Sequence, residues 1–171
     1  MMGIISRFRN VQNKRRQFIV LLCLVGAFVI GGLLFWNARY SLSAENEAAL
    51  LSEAEQLVSE DKIAEASEKY DFVASKKFIG KDKSNVYLTQ STICYQYQKL
   101  ECSIMALDKY EEHSKPDHGI YMTRAAILYT LDRQDEKDEA LQKALESLQE
   151  QNNLSDEDQE LKNSLEKAYQ Q

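Results

Sequence analysis

Leu57–Tyr70 reads LVSEDKIAEASEKY, and Tyr97–Tyr110 reads YQKLECSIMALDKY. Each runs through a short polar break into an amphipathic stretch, where Ala66 and Ala106 are followed four residues later by Tyr70 and Tyr110. Apolar residues at every third or fourth position make the stripe of a helix packed on one face. Two helices approach closely only where small side chains oppose each other, with a large residue one turn away filling the remaining space. Ala54 and Cys94, twelve residues upstream of Ala66 and Ala106, supply the opposing small residues; Leu57 and Tyr97 follow three later.

The pattern extends in both directions from these segments. Helices are expected over Glu45–Glu60 and Lys62–Lys76, over Asn85–Lys99 and Cys102–His113, and over Ile120–Leu131 and Glu136–Gln151. Ala140 repeats the position of Ala106 one helix pair later, while the interval from Ala66 to Ala106 is longer, an excess assigned to the Lys76–Ser84 connection. Pro116 falls between the second and third pairs, where a helix must break. Beyond Gln149–Asn153, Ser155 with Asp158 makes a capping-box start for Asp156–Gln170, with Leu161, Leu165, Ala168 and Tyr169 on one stripe. A half-polar last helix suits the exposed end of a stack.

The Ala106-to-Ala140 interval is a helix–turn–helix period of about 34 residues, and with these small and aromatic positions it resembles the tetratricopeptide-repeat superfamily. The resemblance runs across about Glu47 to Ser147. The third unit departs from the other two, with Leu128 in place of Ala54 or Cys94, and Ala144 in place of tyrosine. The alternative is an irregular antiparallel bundle without true repeats. The resemblance implies an α-solenoid of about three helix pairs, with first helices lining a concave groove that binds other proteins.

Composition excludes several classes. One proline and six glycines in 171 residues are too few for the turns of a β-sandwich or barrel. Residues 1–17 carry five basic residues and no acid, whereas residues 40–171 hold 15 basic against 27 acidic residues, a net of −12. So acidic a body is repelled by nucleic-acid phosphates. Between the two lies Phe18–Trp36, FIVLLCLVGAFVIGGLLFW, which carries no charge. As a helix that stretch approaches the roughly 30 Å of a bilayer core. Lys14, Arg15 and Arg16 before it and Trp36 at its end orient the N-terminus toward the cytoplasm and the rest outside. Ala27 and Gly31 form a small-xxx-small pair for helix packing. A cleaved signal peptide is the competing reading.

The expected fold is therefore all-α: a cytoplasmic tail (1–17), a single transmembrane helix (18–36), a linker (37–46), tetratricopeptide-like repeats (47–151) and a capping helix (155–171). No glycine-rich phosphate loop, nucleophile motif or metal-ligand spacing is present, so no enzyme, cofactor or small-molecule substrate is expected. His113 and His118 read as parts of a solvated connection. Cys94 reads as a packing residue and Cys102 as a free thiol, because eight residues of mostly helical rise would hold them too far apart to bond. Tyr97 is expected to point inward. Tyr95, Gln98 and Lys99, at the end of a first helix, are the expected contacts with a protein partner. The function implied is a membrane-anchored adaptor in the assembly, translocation or quality control of a membrane complex, on the periplasmic side of an inner membrane. The alternative is an accessory subunit held in a larger complex through its transmembrane helix.

Overall fold

The computed structural model describes residues 22, 25–32, 42–77, 80–151 and 153–169. The chain divides into two units, Met1–Ser41 and Leu42–Gln171. In the first unit residues 25–32 are helical, with Val25, Phe28, Val29 and Ile30 exposed. Among the described residues no helix is long and apolar enough to cross a membrane, which overturns the fold class expected above. Most of 18–36, with Lys14, Arg15, Arg16 and Trp36, lies outside the described residues. Ala27 and Gly31 lie within the helical stretch, and a Cβ placed on Gly31 meets no neighbouring atom within 4 Å.

The second unit is a helical, repeat-like bundle. It comprises α1 (Ala44–Ser59), α2 (Ile63–Ser75), α3 (Gly80–Gln96), α4 (Leu100–His113), α5 (His118–Thr130), α6 (Gln134–Gln149) and α7 (Asp156–Tyr169). Packing is most extensive within the hairpins α1–α2, α3–α4 and α5–α6; successive hairpins meet through α2 with α3 and α4 with α5, and α7 closes on α6. The second hairpin begins at Gly80, before the expected Asn85, and Ser84 in the added turn is buried.

One turn is built three times. Asp61, Gln98 and Asp132 adopt φ of 63°, 59° and 58°. At each, two backbone bonds close the helix end: Asp61 N–H to Val58 O and Lys62 N–H to Leu57 O, then Gln98 to Tyr95 and Lys99 to Cys94, then Asp132 to Tyr129 and Arg133 to Leu128. These are Schellman motifs, which satisfy the last carbonyls of a helix and reverse the chain. They recur at nearly even intervals along the chain.

The position of each turn corrects the repeat register. Turn by turn, the small residues facing each other are Ala54 with Ala66, and Ser91 with Ser103; Ala125 and Lys137 occupy the same places in the third hairpin. Ser103 Oγ donates to Ser91 O at 2.9 Å, and the two hydroxyls lie 2.8 Å apart, so the serines bond across a contact that alanines make by packing. Ala106 matches Ala140 as expected, but both correspond to Lys69 rather than Ala66. Residues three apart share a helix face, so periodicity alone does not resolve such a slip.

The same turn overturns the reading of the thiols. Cys94 and Cys102 form a disulfide, their Cα atoms 5.7 Å apart. The chain reverses at Gln98 between them, so separation along the sequence is not separation in space. Tyr97 is also corrected: it lies in the turn, exposed, its hydroxyl donating to Glu55 Oε1 at 3.4 Å.

The core forms three clusters along the stack. Ala54, Val58, Ala66, Tyr70, Val73 and Tyr87 belong to the first, across hairpins one and two. Ile104, Leu107, Ile127 and Leu128 join hairpins two and three, and Ala144, Leu148 and Leu165 join hairpin three to α7. Asp158 N–H donates to Ser155 Oγ at 3.1 Å, and Ser155 Oγ donates to Asp158 Oδ2 at 2.8 Å. These bonds, and then His118 Nε2 at 3.0 Å, hold the Asp158 carboxyl below its usual range. On α7, Leu161 and Leu165 pack inward, whereas Ala168 is exposed.

Candidate functional site

Each Schellman turn places a basic residue just past its left-handed position: Lys62, Lys99 and Arg133. Two of these cations reach back to the preceding hairpin. Lys99 Nζ lies 2.6 Å from Asp61 Oδ1, and Arg133 Nη1 lies 2.9 Å from Glu101 Oε2. Arg133 also bonds Glu136, which holds that carboxyl below its usual range. Lys62 pairs within its own turn with Glu60 at 2.7 Å and lowers its pKa likewise. An ion-pair ladder thus runs along the turn edge and joins the three hairpins.

Beside the ladder lies a cleft of about 390 Å³. Asp61 and Ile63 of the first hairpin form one wall, Gln98 to Cys102 and Met105 of the second form the floor, and Leu131 of the third closes it. Met105 is half exposed. Ile63 and Leu100 open α2 and α4, so the turn that starts each second helix also delivers its apolar residue to the cleft. The disulfide lies directly behind, since Cys102 is both buried and part of the lining.

Of the three expected partner contacts, Gln98 and Lys99 line this cleft and Tyr95 does not. Tyr95 stands three residues before its turn, as Tyr129 does in the third hairpin, and the two rings are 54% and 67% exposed. Val58, at the equivalent place in the first hairpin, is buried. Tyr129 was within reach of the sequence, one repeat beyond Tyr95. Asp61, Ile63, Glu101, Met105 and Leu131 were not, because three separate hairpins bring them together.

Elsewhere the histidines are engaged rather than merely solvated. The His113 ring stacks on Tyr87 at 5.7 Å, and Lys109, bonded to Asp71 at 2.7 and 2.8 Å, lies over the same tyrosine. Among the described residues no group of three or more His, Cys, Asp or Glu is placed to hold a metal. No protein-family model and no curated protein matches this chain.

Proposed function

We infer that the chain is an adaptor of tetratricopeptide-like architecture that holds other proteins on its first helices and turn edge. The observation that carries this reading is the pair Tyr95 and Tyr129. Two large rings at the same place in successive repeats are more than half exposed, and covering the apolar surface each still presents would favour association by about 1 kcal/mol. Aromatic residues are the common anchors of protein interfaces. In this reading the chain carries no catalytic group and takes no cofactor, small-molecule substrate or nucleic acid. The Cys94–Cys102 disulfide supports an extracytoplasmic, oxidising compartment as its place of work.

The test places a photo-crosslinking amino acid at Tyr95 or Tyr129 in the full chain, with Glu68 of α2 as control. The reading expects one common protein adduct from both tyrosine positions and none from Glu68. Adducts that do not differ among the three positions would sink it.

A further inference from the structure

We propose that the turn-edge cleft takes an apolar side chain flanked by lysine or arginine on a protein partner. This deepens the adaptor reading and rests on it. The cleft is at the small end of ligand sites, with room for a side chain or two rather than a large cofactor. Its apolar surface comes from Ile63, Leu100, Met105 and Leu131, and the unbranched, polarisable methionine adapts to differently shaped guests.

The ion pairs on its rim are asymmetric. The Asp61 side chain is 72% exposed and its partner Lys99 only 30%; Glu101 is 64% exposed and its partner Arg133 only 33%. The cations lie beneath and the carboxylates face out. A guest arriving from solvent therefore meets oxygens that retain free lone pairs. Asp132, with its own carboxylate, occupies the next turn. The net −12 of residues 40–171 adds attraction at long range for a cationic partner and repels an acidic one. Hydrophobic floor and acidic rim together specify the guest: burial supplies affinity, and the flanking charges supply choice.

Met105 and Met122 make the test direct. The full chain is labelled with ¹³C at the methionine methyls and titrated with a seven-residue peptide carrying leucine between two lysines. The Met105 methyl signal should move saturably, while that of Met122, in the third core cluster, stays still. A peptide with leucine between two glutamates, or alanine between two lysines, should bind at least tenfold more weakly. Asp61→Asn with Glu101→Gln should weaken the lysine peptide about tenfold, and asparagine tolerates the left-handed turn. Three results would overturn the proposal: a Met105 signal that ignores the peptide at millimolar concentration, equal response to the glutamate peptide, or movement on concentrating the protein alone, which would make a second copy the occupant. If Met105 is silent while Tyr95 and Tyr129 still crosslink a common partner, the adaptor reading stands and only the cleft's role falls.

Discussion

Gln98 is the residue whose conformation costs most for what it contributes. At φ 59° an L side chain crowds its own backbone by about 1–2 kcal/mol, a penalty glycine escapes at some cost in chain entropy. Gln98→Gly should therefore stabilise the protein by about 0.5–1 kcal/mol, seen as a higher urea midpoint at unchanged slope. Tyr70 is a second such residue. It is fully buried, and its hydroxyl finds no hydrogen-bond partner among the described residues. Tyr70→Phe should raise stability by about 1 kcal/mol. Burial also pushes the Tyr70 phenol up to about 12, and it does the same to Tyr87, where the Asp71 carboxylate adds to it. The native state thus favours the protonated phenols. Their contribution is whole below the unfolded value near 10 and is lost as pH rises through about 12. Denaturant titrations between pH 9 and 12 should show stability falling over that window, and falling less for Tyr70→Phe. Tyr70 was legible as a core residue from its helical spacing, but the missing partner depends on which groups other helices bring to it.

Among the elements, the second hairpin differs from the first and third by its disulfide. Since all three make the same turn, the bond is not what shapes it. It stabilises by limiting the unfolded chain. A sequence separation of eight residues corresponds to about 2.5 kcal/mol in the loop-entropy picture. Cys94→Ala with Cys102→Ala should lose about that much in urea titration and no longer respond to reductant. The helix α7 is held by few side chains, chiefly Leu161 and Leu165. Leu165→Ala should weaken that seam by about 2 kcal/mol and accelerate amide exchange in α7 while α1 and α2 keep their protection. In the second unit the helix order was legible from spacing and breaks, whereas the expected transmembrane helix was not borne out. The start of α3 at Gly80 was not legible, because the added turn is polar in sequence and the burial of Ser84 within it depends on what the neighbouring helices cover.

For the whole of the second unit, three clusters in series mean that each hairpin depends chiefly on its neighbours. Leu128→Ala, which opens a hole between hairpins two and three, should cost about 3 kcal/mol. Hydrogen exchange should report that loss in α4 to α6 more than in α1. The sequence by itself determined the helical class, the hairpin order and the acidic surface, because periodicity, breaks and charge are local properties of the chain. Of the partner contacts expected from it, Gln98 and Lys99 line the cleft and Tyr95 does not. Tertiary structure alone decided the register between hairpins, the Cys94–Cys102 bond and the cleft. Each depends on a reversal of direction at Asp61, Gln98 or Asp132, which brings distant residues together; helix periodicity records which face a residue lies on, not which turn of the neighbouring helix it meets.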